Sequence, residues 1–130
     1  MRKFKKFTYS NFCYLGTELI DLKIQVKKGN YVVDYTKGFC PEKISNTIAL
    51  TAEESDKLDA LFSELNFEKW KDKYENHDIL DGEEWKIKVT FADGTKRDIF
   101  GMNARPTRWI KFNALLKWIH EKQIEFELKS

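Results

Sequence analysis

Large apolar residues alternate with polar ones between Trp85 and Phe91, so the hydrophobic pattern there has a period of two. Such a pattern is typical of a strand with one buried and one solvent-facing side. The Asp93-Gly94 pair follows, and a second run leads to Ile99. Because an Asp-Gly pair between two such runs is a strong turn signal, the segment predicts a β-hairpin.

Charges and apolar residues also predict the register of this hairpin. A three-residue loop, Ala92-Asp93-Gly94, sets Ile87 opposite Ile99 and Lys88 opposite Asp98. Apolar then meets apolar, and positive meets negative, whereas a two-residue loop would mix the two faces. We therefore expect the longer loop, with its glycine at positive φ.

A wide apolar stripe at helical spacing follows the hairpin. Its members are Trp109, Phe112, Leu115, Leu116 and Ile119, and Ile110, Ala114 and Trp118 widen it. A stripe of this width is normally covered by a sheet. Pro106 suits the first turn of a helix, where its missing N–H is no loss. We expect a helix that starts near Pro106 and packs on the sheet.

An earlier helix is predicted by a capping box at 51–54. The Thr51 hydroxyl can accept a hydrogen bond from the Glu54 N–H, and the Glu54 carboxylate can accept one from the Thr51 N–H. An apolar stripe follows, made of Leu58, Leu61, Phe62 and Leu65. Asn66 is expected to end this helix and to cap a short further turn.

The remaining apolar runs predict the other strands. They cover Phe4 to Tyr9, Ile20 to Val26, Tyr31 to Thr36 and, as a short candidate, Asn46 to Leu50. Residues 124–128 fit either a further strand or an extension of the last helix. The order of strands, helix, hairpin and helix predicts an α+β fold. We expect a single domain over 1–130, an antiparallel sheet of about five strands with two main helices packed on one face.

The composition of the chain argues against some classes of function. The 130-residue chain has a formal net charge of +2 with both signs interleaved, which argues against a general nucleic-acid binder or a membrane binder. No apolar run is long enough for a bilayer. The chain begins at a Met without a signal-peptide pattern, so we expect a cytoplasmic protein. Cys13 and Cys40 lack a metal or redox spacing and are expected to be free thiols.

Several short motifs follow one another in the second half of the chain. They are Asp81, Gly82 and Trp85, then Asp93-Gly94, then Gly101, Asn103, Ala104, Pro106, Trp109 and Leu116. This pattern resembles a group of small bacterial domains of uncharacterised function, with a DGxxW strand, a DG hairpin turn and a GxNAxP helix start. In that group an aromatic residue often stands at the position of Arg105. The resemblance implies an α+β fold and a bacterial setting, and it implies no activity.

The start of the last helix is the main candidate site. Backbone N–H groups point outward at a helix start, where the helix dipole is positive. This chain places Arg105, Arg108 and Lys111 there, with Arg97 from the hairpin nearby. Cations set against the helix field suggest an anion-binding site for a phosphate, a carboxylate or an acidic protein. The alternative is a solvated basic face, balanced by Asp98 or by acids from elsewhere.

Two weaker candidates are interpreted as structural. The loop 75–84 gathers His77 with several acids, but their spacing matches no metal site, so a polar connection is expected. Cys13 and Cys40 lack the flanking signature of a catalytic cysteine. We expect no catalytic residues, no metal and no cofactor. The expected function is non-catalytic binding, most simply a protein–protein interaction module; the alternative is a small-molecule-binding or enzymatic domain at the basic helix start.

Overall fold

The computed structural model describes residues 2–13, 19–38, 43–76, 83–107 and 109–129. These residues form seven strands and two long helices. The strands are β1 (Phe4–Cys13), β2 (Leu19–Lys27), β3 (Asn30–Gly38), β4 (Lys43–Ala49), β5 (Lys73–Glu75), β6 (Glu83–Phe91) and β7 (Lys96–Met102). The helices are α1 (Ala52–Leu65) and α2 (Trp109–Lys129), and a 3₁₀-helix covers Phe67–Lys69. The expected α+β class with two main helices is confirmed.

All seven strands belong to one sheet, in the order β4-β3-β2-β1-β6-β7-β5. Each neighbouring pair is antiparallel except β5 and β7, which are parallel. The sheet therefore has seven strands where about five were expected, and it is mixed where an entirely antiparallel sheet was expected, because one of its six pairings is parallel. β5 was missed because three residues are too few to show an alternating pattern, and its pairing depends on a strand more than twenty positions later.

The core lies between the helices and one side of the sheet. Strand residues on that side are buried in alternation, as the pleat requires. The largest fully buried side chains are Trp85, Tyr31, Phe4, Phe7, Phe62, Phe67 and Phe112. The two helices contribute Leu58, Leu65, Leu115 and Ile119. The opposite side of the sheet is covered by neither helix.

The hairpin of β6 and β7 has the predicted register. Ile87 pairs with Ile99 on the buried side, and Lys88 pairs with Asp98 on the solvent side. Phe91 and Thr95 bond across a three-residue loop, and Gly94 has φ +92°. Local apolar and charge matching therefore predicted both the loop length and the pairing.

The predicted capping box at the start of α1 is also confirmed. Thr51 Oγ1 accepts from the Glu54 N–H at 3.1 Å, and Glu54 Oε1 accepts from the Thr51 N–H at 3.0 Å. Asn66 ends the helix in a left-handed conformation with φ 51°. The 3₁₀-helix then begins at Phe67, so Asn66 separates the two helical segments as expected.

The last helix differs from the prediction at its start. α2 begins at Trp109, and Pro106 lies in the turn before it, where the Pro106 carbonyl accepts from the Trp109 N–H at 3.0 Å. Pro106 therefore leads into the helix and does not occupy its first turn. At the other end, residues 124–128 continue α2, so the strand alternative there is wrong. Across the described residues, neither helix has an apolar stretch of bilayer-spanning length.

Candidate functional site

Hydrogen bonds to β6 shape the connection that leads into α2. The Asn103 N–H donates to the Glu83 carbonyl at 2.9 Å, and the Glu83 N–H donates to Asn103 Oδ1 at 3.0 Å. Asn103 has φ 58°, a left-handed conformation that asparagine tolerates better than most residues. Trp85 Nε1 donates to the Ala104 carbonyl at 3.0 Å. These bonds fix the backbone from which Arg105 projects.

Arg105 is held between a carboxylate and an indole. Its Nε donates to Glu83 Oε1 at 3.1 Å, and its Nη2 forms an ion pair with the same oxygen. Its guanidinium carbon lies 5.0 Å from the Trp109 ring centroid, a cation–π distance. The Arg105 side chain keeps 44% of its exposure. The charge is therefore partnered within the chain while one side still faces solvent.

A shallow recess lies beside this ion pair. Its volume is about 260 Å³, and its walls are Glu83, Asn103, Ala104 and Arg105. An anion entering the recess would meet the guanidinium and also the Glu83 carboxylate. Because the Glu83 carboxylate already pairs with the Arg105 guanidinium, a bound anion would have to displace this carboxylate or lie close to its negative charge.

The other predicted cations contact different acids. Arg97 Nη1 donates to the Phe67 carbonyl at 2.6 Å, and its Nη2 contacts Asp72 Oδ1 at 2.5 Å. Lys111 Nζ lies 3.8 Å from Glu64 Oε2. Arg97 thus joins β7 to the 3₁₀-helix, and Lys111 joins the two long helices. Arg108, the fourth predicted site residue, lies outside the described residues.

These contacts agree with the alternative that acids from elsewhere balance the basic cluster. The three described cations each contact their own carboxylate, on Glu83, Asp72 and Glu64. Asp98, the acid that the sequence suggested as a partner, lies on β7 opposite Lys88 of β6 in the hairpin register. Three described cations of the predicted anion site therefore have structural partners that the sequence pattern did not reveal.

The two weaker candidate sites, the loop 75–84 and the two cysteines, lie largely outside the residues that the structure describes. His77 and the acids at 78 and 81 lie in the segment 77–82, which is not described, and neither cysteine side chain is described. Among the residues that the structure does describe, no group of three His, Cys, Asp or Glu side chains is placed to hold a metal ion.

Sequence reasoning missed the uncovered side of the sheet. Cross-strand pairing there arranges side chains in rows that run across six strands. One row is Thr47, Asp34, Lys23, Thr8, Lys88 and Asp98; the next is Ser45, Thr36, Asp21, Ser10, Lys86 and Phe100; the third is Ala49, Val32, Gln25, Lys6, Thr90 and Lys96. We refer to these three rows as the open face.

The open face is mostly polar, broad and weakly basic. It carries five lysines and three aspartates, and all eighteen side chains are exposed or half-buried. Hydroxyl groups tie its outer strands together, with Thr47 Oγ1 donating to Asp34 at 2.6 Å and the Thr36 and Ser45 hydroxyls 2.8 Å apart. Six strands spaced about 4.8 Å apart give a surface roughly 24 Å wide.

Two grooves run over this surface. One, of about 310 Å³, lies over β6 and β7 beside β5, and is lined by Asp72, Lys73, Lys86, Lys88, Asp98 and Phe100 among others. The second, of about 330 Å³, lies over β1, β2 and β3 and includes Thr8, Ser10, Asp21, Lys23, Asp34 and Thr36. The first combines lysine ammonium groups with an aromatic ring. The alternating pattern of the strands contained the signal for this face, because the polar positions of neighbouring strands lie side by side on one surface of the sheet.

The resemblance to small bacterial domains stays a prediction from the motifs. Comparisons of the chain with protein-family models, with curated proteins and with solved structures found no match.

Proposed function

We propose that this protein is a non-catalytic binding module that receives an acidic protein surface on its open face. One observation carries the proposal: the sheet presents three rows of mostly polar side chains, with a lysine excess, on a side that neither helix covers. A surface of this width suits a macromolecular contact better than a small ligand, which is usually enclosed in a concave pocket.

The distribution of charge favours an acidic partner. Lys6, Lys86 and Lys88 lie on the adjacent strands β1 and β6, at the middle of the sheet. Phe100 lies beside Lys86, so an aromatic contact is available next to the basic cluster. Interfaces commonly combine a buried aromatic anchor with charges that select and steer the partner.

Titration with poly-L-glutamate tests this function. Amide chemical shifts of the protein should change for residues of β1, β6 and β7 on the open face. The variant Lys86→Glu/Lys88→Glu should lose most of the response, and the response should weaken with salt. The variant Lys57→Glu/Lys69→Glu is a matched control, because it reverses two exposed lysines off the sheet. Equal losses in both variants, or shifts confined to the helices, would contradict the proposal.

A second candidate function is small-anion binding, which the recess beside Arg105 favours. Inorganic phosphate should then raise the thermal midpoint of the protein by mass action. Arg105→Ala should remove that rise, while Glu83→Gln should enlarge it because the competing carboxylate charge is gone. An unchanged midpoint in wild type and in Glu83→Gln would exclude this site for phosphate.

A further inference from the structure

The solvent-facing side of α2 carries a regular stripe. Its members are Ile110, Ala114, Lys117, Glu121, Ile124 and Leu128, and all six are exposed. Successive members are four, three, four, three and four positions apart, which is the spacing of a coiled-coil seam. Ile110 is 79% exposed and Leu128 81%, although both are large and apolar. Scattered apolar residues are normal on a surface, but this set is aligned along about five helical turns.

The stripe lies opposite the side of α2 that the core uses. Phe112, Leu115 and Ile119 face the core and are buried. In the part of the chain that the structure describes, the side chains of Lys117 and Glu121 form no ion pair or hydrogen bond, whereas the flanking Lys122 pairs with Glu54 and Glu125. Among the residues that the structure describes, the apolar ends of this stripe are therefore uncovered and its two central side chains have no charged partner.

The order of residues in the stripe is symmetric about Ile119. Lys117 and Glu121 lie two positions before and after it. Ala114 and Ile124 lie five positions away, and Ile110 and Leu128 lie nine positions away. A second α2 running in the opposite direction would pair Ile110 with Leu128, Ala114 with Ile124, and Lys117 with Glu121, each pair occurring twice. Apolar residues would meet at both ends, and opposite charges would meet twice at the centre.

We propose that a second copy of this chain packs antiparallel along this stripe of α2. A two-fold axis on the exposed side of α2, level with Ile119 along the helix, produces every one of these pairings at once, as an isologous interface requires. A parallel arrangement would place Lys117 against Lys117 and Glu121 against Glu121, so charge selects the antiparallel one. One position outside the stripe supports the same register: Lys111 would face Glu125 of the second copy.

The contact is small, so the dimer forms reversibly. One helix of 21 residues is about 32 Å long, and a single helix pair falls at the low end of interface sizes. The open face lies on the other side of the sheet from α2. Dimerisation through α2 therefore leaves both open faces free, and this inference stands or falls independently of the proposed binding function.

Charge exchange in the stripe provides the sharpest test. Sedimentation equilibrium of the purified protein from about 10 μM to about 1 mM should show a monomer–dimer equilibrium. Lys117→Glu alone should weaken it about tenfold, because two attractive pairs become repulsive, and Glu121→Lys alone should do the same. Mixing the two single variants should restore association, since every central pair is then of opposite charge. Lys57→Glu, on the exposed side of α1, is the matched control and should leave association unchanged.

Ile124→Lys should abolish the dimer through the apolar part of the stripe. Because all these side chains are exposed, far-ultraviolet circular dichroism should show an intact fold in each variant. A protein that sediments as a monomer at the highest concentration would overturn the proposal. So would a dimer that Ile124→Lys and both charge variants leave unchanged, because its interface would then lie elsewhere.

Discussion

At the scale of single residues, close packing against Trp85 leaves no room for a side chain at Gly101. A Cβ atom built at Gly101 would lie 2.0 Å from Trp85 Cε2, far inside van der Waals contact. Trp85 is itself fixed by its bond to the Ala104 carbonyl and by Trp109, whose ring centroid is 4.6 Å away. The indole therefore has little freedom to move aside.

We expect Gly101→Ala to lower the free energy of unfolding by about 1–3 kcal/mol or more, as overpacking of a rigid core does. Urea denaturation measures the change. Gly94→Ala is the comparison, since nothing lies within 4 Å of its added Cβ and only its positive φ opposes the substitution. A smaller loss in Gly101→Ala than in Gly94→Ala would show that the indole can yield.

Buried tyrosines make stability sensitive to alkaline pH. Burial raises the pKa of Tyr9, and the negative charge of Glu83 raises it further. Burial also raises the pKa of Tyr31, and its hydrogen bond to Asp59 adds to the effect. A raised pKa means that the folded state retains a proton which the unfolded state releases. This stability is complete below the ordinary tyrosine pKa of 10.0 and declines above it.

The thermal midpoint should therefore fall steadily above about pH 10. Tyr9→Phe should make that decline shallower, whatever it does to the midpoint at pH 7. Thermal scans at several pH values from neutral upward measure the slope. An identical slope in wild type and Tyr9→Phe would show that Tyr9 does not titrate with unfolding.

At the scale of elements, α1 depends on its first turn. Thr51→Ala removes the hydroxyl that satisfies the Glu54 N–H, so the free energy of unfolding should fall by about 0.5–2 kcal/mol. Chemical denaturation measures the loss. Glu53→Gln is a suitable control, because it changes the same turn without touching the cap. A Thr51→Ala midpoint equal to that of wild type would mean that the cap contributes nothing.

The ion pair of Arg105 and Glu83 links β6 to the connection before α2. A double-mutant cycle with Arg105→Ala and Glu83→Gln should give a coupling energy of about 0.2–1 kcal/mol, the range of partly exposed pairs. The coupling should shrink in high salt. A coupling of zero would show that this ion pair contributes nothing to the free energy of unfolding.

The elements that the sequence predicted are those whose information is local. Alternation and a turn pair define the β6–β7 hairpin within twenty residues, and four residues define the cap of α1. The partners of the basic cluster could not be predicted in this way. Glu83 is 22 positions from Arg105, and Asp72 is 25 positions from Arg97. Only the three-dimensional arrangement of β6, β7 and the 3₁₀-helix brings these charges together.

At the scale of the whole molecule, β1 unites the two halves of the sheet. It pairs with β2 on one side and with β6 on the other. The β1–β6 pairing therefore joins the strands from the first half of the chain to those from the second half. Trp70, Trp85 and Trp109 lie together in the core behind β6. Their fluorescence therefore reports on the late half of the chain, while circular dichroism reports on all strands and helices.

Unfolding should consequently be a single cooperative transition. Tryptophan fluorescence and far-ultraviolet circular dichroism should give the same urea midpoint. Two separate midpoints would mean that β2, β3 and β4 with α1 remain folded after the β1–β6 pairing is lost.

The central place of β1 also matters during synthesis on the ribosome. Tyr9 pairs with Ile87, so one edge of β1 has no strand to bond until nearly eighty more residues have been made. At ordinary translation rates this delay is roughly 4–16 s. During it, the nascent chain displays an unpaired edge and the apolar side chains Phe4, Phe7 and Tyr9. Unpaired edges of this kind are sites of aggregation, so we expect the growing polypeptide to be most prone to aggregate before the β6–β7 hairpin emerges.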